Sequence, residues 1–257
     1  MTGEPEVLQS NLDFIDMEKG NYLNGEMVSD FSAKTLVSQE DTNALLRKVY
    51  WWMFGALVVT GLTALYVANS ETALGFVFGN SWTYVVLIIA ELALVYGLSA
   101  AIDKMSASVA SLMFLLYSIL NGITLSSIFV FYELGSIATA FFVSAGTFGI
   151  MAIVGSVTKK DLTKIGNLCL MAVVGLIIAS LVNLLIKNSV LELVVSCVGV
   201  VVFVGLTAYD AQKIKEMLYD VDENETSTKI AVLGALSLYL DFINIFLYLL
   251  RLFGRRK

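Results

Sequence analysis

Ala235-Leu-Ser-Leu-Tyr-Leu-Asp241-Phe-Ile-Asn-Ile-Phe-Leu247 is the stretch that decides how this chain reads. It lies inside an apolar run from Ile230 to Phe253, long enough to cross a bilayer as one helix. A carboxylate at the middle of such a run costs about 2.5–3.5 kcal/mol even on lenient insertion scales, so Asp241 is a functional candidate by default. The preceding apolar run carries a second acid, in Val201-Val-Phe-Val-Gly-Leu-Thr-Ala-Tyr-Asp210-Ala-Gln212. Asp241 is roughly 16 Å of helical rise into its run. If the earlier helix continues toward Met217, Asp210 lies about 10 Å from its end. On adjacent tilted helices the two carboxyls reach similar depth. Two carboxylates in contact do not both ionise cheaply, so they are expected to share one proton. Its loss adds repulsion, parting the helices or admitting a cation. The alternative is that each is satisfied separately by a hydroxyl, lysine or backbone partner.

Outward from this pair, the composition agrees. The chain of 257 residues is 58% hydrophobic and only 15% charged, too little charge to cover a water-soluble domain. Seven apolar segments are expected to span: about Tyr50 to Ala68, Trp82 to Ile102, Val109 to Phe131, Ile137 to Val157, Leu168 to Ile186, Leu191 to Ala211, and Ile230 to Phe253. Connections are expected to be short, except between the sixth and seventh. Trp51, Trp52 and Trp82 read as interfacial anchors at span ends. The fold class is all-α: a seven-helix membrane domain over residues 45–257, preceded by an acidic, polar and disordered tail, residues 1–44. Ser38-Gln-Glu-Asp41 reads as a helix start. No signal peptide is apparent, since the first apolar run follows Arg47 and Lys48.

Basic residues orient the bundle. Arg47, Lys48, Lys104, Lys159, Lys160, Lys164, Lys213, Lys215 and Lys229 fall on one side, against Lys187 in the opposite loops. That side, with the amino terminus, is expected to be cytoplasmic. Arg251, Arg255, Arg256 and Lys257 oppose this rule, so the last segment is either a full span or a re-entrant one; a full span is expected.

The chain has no histidine, which excludes His-ligated metals and a Ser-His-Asp triad. Any pH sensing must come from carboxylates. Cys169 and Cys197 lie in separate spans and read as small buried hydrophobes. Glu91, in Ile88-Ile-Ala-Glu91-Leu-Ala-Leu, is a third intramembrane acid: a lining of an ion path, or a hydrogen-bond partner for a neighbouring helix. Asn121, Asn183 and Asn244 are expected to bond between helices. Tyr239, Phe242, Phe246 and Tyr248 read as packing. Arg251 is expected to snorkel. Gly55, Gly61, Gly146, Gly149, Gly155, Gly199 and Gly205 permit close helix approach.

The last-span motif through Arg251, with Ala208-Tyr-Asp-Ala-Gln212, Asn121-Gly-Ile-Thr-Leu125 and Gly155-Ser-Val-Thr-Lys-Lys-Asp-Leu162, closely resembles the Bax inhibitor family of transmembrane proteins. The resemblance covers about residues 44–254. It implies seven helices with the last one central, and a pH-sensitive calcium leak gated by an aspartate pair that matches Asp210 and Asp241. Calcium is then a transported ion, held transiently at that pair, and no cofactor is implied. In bacterial members an arginine near the end of span two latches the pair; here Ala100-Ala-Ile-Asp-Lys104 offers only Lys104, which lacks the bidentate fork. Glu91 matches an intramembrane acid of some members.

A passive cation leak is therefore the expected function, with carboxylates suited to hard cations. The alternative is a non-conducting regulator that binds a membrane protease or cell-death partner, with the acidic tail as its contact. An aspartyl-protease dyad is set aside, because Asp241 lacks Gly-rich surroundings. Neither an enzyme nor a nucleic-acid partner is expected. Short loops point to a bacterial plasma membrane, with a eukaryotic internal membrane as the alternative.

Overall fold

The computed structural model describes residues 41–219 and 225–257. The expected tail up to residue 40 lies outside them. Helix α1 (Asp41–Ala68) is already formed at its first described residue, and Thr42, Leu45 and Val49 are buried. It is followed by a short α2 (Glu71–Phe78), α3 (Ser81–Ala101) with a 3-10 turn Ile102–Lys104, α4 (Ala107–Phe131), α5 (Leu134–Val157), α6 (Thr163–Ile186), α7 (Ser189–Leu218) and α8 (Glu225–Phe253). Seven of these are long and apolar enough to span a membrane. The extra helix α2 corrects the expectation of a short first connection. Ser70 caps it by accepting from the Ala73 N–H, and Asn80 does the same for α3 through Trp82 N–H.

The last helix is central. Two-thirds of its most apolar window, 67%, is buried, against 6% for α3 and for α6, which face outward. Most of its circumference is buried, including Val232, Ala235, Tyr239, Phe242 and Ile245, and one stripe, Leu233, Ser237, Leu240, Asn244 and Leu247, is half-buried. Phe242 meets Phe141 and Phe148 of α5 edge-on at 5.5 and 5.7 Å. Tyr239 meets Phe114 and Tyr117 of α4 in the same way, at 5.8 and 5.7 Å.

Helix α8 is a full crossing. At its start Glu225 accepts from the Ala107 N–H at the start of α4. At its far end Arg256 pairs with Glu192 of α7 at 3.1 Å and bridges to Tyr132, and the Arg255 N–H donates to Ser136. The carboxy terminus thus lies with the α4–α5 turn and the start of α7, on the face opposite Ala107. Its 29 residues rise about 43 Å, more than the hydrocarbon thickness. The re-entrant alternative falls.

Helix approach is decided by three of the glycines expected for it. Gly155 abuts the Ala208 backbone, Gly199 abuts the Tyr248 ring, and Gly205 abuts the Cys169 sulfur. Around Gly55, Gly61, Gly146 and Gly149 there is open space, correcting their assignment as contacts. Gly122 and Gly166, with no such role assigned from sequence, are true close contacts, against Thr60 and Tyr209. Cys169 is half-buried, whereas Cys197 is exposed on the outer surface rather than buried.

Candidate functional site: a buried aspartate pair and a separate glutamate network

Helix α7 runs on to Leu218, so Asp210 sits two turns inside its end. Gly155 lets α5 pack against the backbone at Ala208, and Gly166 receives the Tyr209 ring. These neighbours of Asp210 fix its rotation about the α7 axis. Gln212, two residues further on in the same motif, clamps the α5–α6 connection: its amide nitrogen donates to Lys160 O at 2.9 Å and its oxygen accepts from the Leu162 N–H at 2.9 Å. In that connection Asp161 accepts from the Thr163 backbone N–H at 2.8 Å. The bonds from Thr163 hold its exposed carboxyl below the usual carboxylate range. The Lys215 ammonium donates to Ser156 O at 2.8 Å. Nothing in the linear pattern marks Gln212 or Lys215 as clamps, because their partners come from fifty and more residues away.

Asp241 faces this region from α8. It is 4% exposed, and its Oδ2 is buried with no hydrogen-bond partner among the described residues. The charge that acts on it is that of Asp210. Asp210 is half-buried, and the cation acting on it is Lys213, one turn along α7. The Lys213 ammonium also lies over the Tyr209 ring at 5.7 Å. Asp210 and Asp241 are thus neighbours across α7 and α8. Lys104 is not with them: it is exposed at the end of the 3-10 turn. Among the described residues no group of three or more His, Cys, Asp or Glu side chains is placed to hold a metal. Two carboxylates fall short of the six to eight oxygens that calcium takes, so the pair suits passage or protonation better than storage.

Glu91 lies in a separate polar network joining α3, α4, α8 and α1. Thr124 donates to its Oε1, and the Asn121 amide donates to its Oε2 at 3.3 Å. The fully buried Tyr239 hydroxyl donates to Asn121 Oδ1 at 3.1 Å and lies 2.7 Å from the Thr60 hydroxyl, which donates to Ser118 O at 2.9 Å. Thr60 and Tyr239 together have two hydroxyl hydrogens for these three contacts. Turning the Asn121 amide over, an assignment set by the network itself, lets its nitrogen donate to Tyr239. Tyr239 then donates to Thr60 and Thr60 to Ser118. Asn121 Oδ1 then faces the Glu91 carboxyl. Tyr239, expected as packing, therefore links the central helix to Glu91. Asn121 bonds between helices as expected, whereas Asn244 bonds its own helix at Leu240 O and Asn183 accepts from the Asn188 N–H.

This network gives a direct prediction. Tyr239→Phe is expected to lower thermal stability by about 0.5–1.5 kcal/mol. Glu91→Gln, which supplies a permanent donor to Asn121, is expected to stay folded with stability unchanged or raised. Melting curves of the two variants in detergent check both.

The sequence matches the family described as "Inhibitor of apoptosis-promoting Bax1" over residues 42–257. This chain belongs to the Bax inhibitor family. Its relatives include the inner membrane protein YbhL of Escherichia coli (strain K12), 50% identical over 214 residues that cover 82% of this chain and 92% of that protein. A Borreliella burgdorferi protein is 44% identical over 216 residues, covering 84% and 93%. One from Deinococcus radiodurans is 40% identical over 217 residues, again 84% and 93%. The family match begins one residue after the start of α1 and runs to the carboxy terminus, so it takes in every spanning helix.

Proposed function

We propose that this protein is a pH-gated passive leak for cations, with calcium the preferred ion, in a bacterial plasma membrane. The face carrying Lys104, Lys159, Lys160 and Lys213 is then cytoplasmic. The observation that carries this reading is the Asp241 carboxyl: buried, with one oxygen unpartnered, and with Asp210 as the charge acting on it. A lone proton between the two supports a closed bundle; its loss leaves like charges in a low-dielectric interior and drives α7 from α8, or draws in a cation. The sign follows: flux is low in acid and rises with pH. Calcium is cargo; the protein needs no cofactor and catalyses no reaction.

The test is calcium entry into proteoliposomes holding the full chain, from about pH 5 to about pH 8, where carboxylate switching at a shared site is accessible. Flux above protein-free vesicles that rises with pH supports the leak. No flux at any pH from folded protein overturns it. Deleting residues 1–40 is expected to leave the flux and its pH dependence within about twofold, since all seven spanning helices lie outside that segment; loss of flux on deletion favours a tail-dependent regulator.

A further inference from the structure

Away from the aspartates, a second feature lies at the carboxy-terminal face. A cavity of about 780 Å³ opens between α6, the start of α7 and the end of α8. Lys187, Arg251 and Arg256 line it, with Glu192 as its one acid. Glu192 is engaged by Arg256 at 3.1 Å. Among the described residues neither Lys187 nor Arg251 has an ion-pair partner; Arg251 instead lies over the Tyr248 ring at 5.4 Å. Lys187 is held at the rim by its left-handed backbone, φ 54°, where its N–H closes α6 onto Asn183 O. Ser180 and Ser189 also line it.

An apolar part of the wall belongs to the outer surface of α6. Ile177, Leu181 and Leu184 are 55%, 60% and 70% exposed, which in a spanning helix means exposed to lipid tails. One end of the cavity therefore presents unpaired cations at a helix terminus, and the other presents hydrocarbon on a membrane-facing helix.

We propose that this cavity binds an anionic phospholipid, with its phosphate between Lys187 and Arg251 and an acyl chain along Leu184, Leu181 and Ile177. The guanidinium plane of Arg251 matches two phosphate oxygens, and Lys187 adds a mobile point charge. A free phosphate would satisfy the cations alone and leave the apolar wall unused. A zwitterionic lipid would cover the wall but bring its own cation against Lys187. The same cations repel a divalent ion, so the site is separate from the proposed leak and stands whether or not the protein conducts. It also gives a reason for the basic cluster that opposes the orientation rule: anionic headgroups neutralise it in place.

The experiment is native mass spectrometry of the detergent-purified full chain with phosphatidylglycerol or with phosphatidylcholine of the same chains. Each basic residue at an anionic surface contributes about fivefold, so phosphatidylglycerol is expected to be retained about twentyfold better. In Lys187→Gln/Arg251→Gln that preference is expected to vanish, whereas Lys187→Arg/Arg251→Lys keeps it. Salt should weaken retention of phosphatidylglycerol by the native chain and leave phosphatidylcholine unaffected, a readout that needs no variant. Equal retention of the two lipids by the native chain, or undiminished phosphatidylglycerol retention in the neutral double variant, overturns the proposal. Displacement of phosphatidylglycerol by equimolar inorganic phosphate overturns the lipid assignment in favour of a phosphate site.

Discussion

Asp241→Asn is expected to abolish the pH dependence of calcium flux. The native carboxyl is 4% exposed and leaves Oδ2 unpartnered, and in the proposed leak its protonation state decides whether α8 stays seated beside Asp210. Asparagine keeps the shape and removes the charge, so Asp210 no longer faces a like charge at any pH. A gate that loses one proton changes its open population by up to about tenfold per pH unit, the factor carried by 1.36 kcal/mol. The native chain is therefore expected to show a flux ratio of tenfold or more between the ends of the range, and Asp241→Asn a ratio near one. Asp210→Asn should give the same flattening, because either substitution removes the repulsion. A variant that retains the native pH profile while remaining folded, checked by gel filtration, would place the proton sensor elsewhere, with Glu91 the next candidate.

The second large effect is structural. A side chain at Gly155 would put Cβ 2.8 Å from the Ala208 carbonyl carbon and Cα, and closer still to its oxygen. These are backbone atoms two residues before Asp210, so no rotamer change relieves the clash and α5 must move away from α7. Overpacking of this kind costs about 1–3 kcal/mol. Gly155→Ala is expected to lower the melting midpoint clearly and to disturb the flux profile with it. Gly149→Ala is the control: the site has open space, and removing a mid-helix glycine is expected to leave stability unchanged or raise it by about 0.5–1 kcal/mol. Thermal melts of both variants in detergent, set beside their flux, separate the two cases. Equal destabilisation would mean that the α5–α7 contact at Gly155 does not set the cost.

What could be read without the fold was whatever carries a solvation cost. Spans at Ala68, Phe131, Val157, Ile186 and Phe253 end where the apolar runs end, because the bilayer imposes length on any segment that crosses it. Asp210, Asp241 and Glu91 stand out in sequence for the same reason: a carboxylate among hydrocarbons is expensive wherever it points. Direction is another matter. Lipid tails are as apolar as a helix–helix interface, so the pattern of Leu, Val and Gly does not say which face of a spanning helix is inside. That is why Gly146 and Gly155 look alike in sequence and differ entirely in the bundle, and why Cys197 reads as buried but faces outward.

The sequence by itself determined that seven segments cross a membrane, that the family is that of the Bax inhibitors, and that Glu91, Asp210 and Asp241 lie deep within the spans. Tertiary structure alone decided that Asp210 is near enough to act on Asp241 while Glu91 joins Tyr239 and Thr60, that Gln212 clamps the α5–α6 connection, and that the last basic cluster returns to the end of α4 and the start of α7. Hydrophobicity sets depth one residue at a time, whereas rotation about a helix axis is set by close packing with helices far away in the chain.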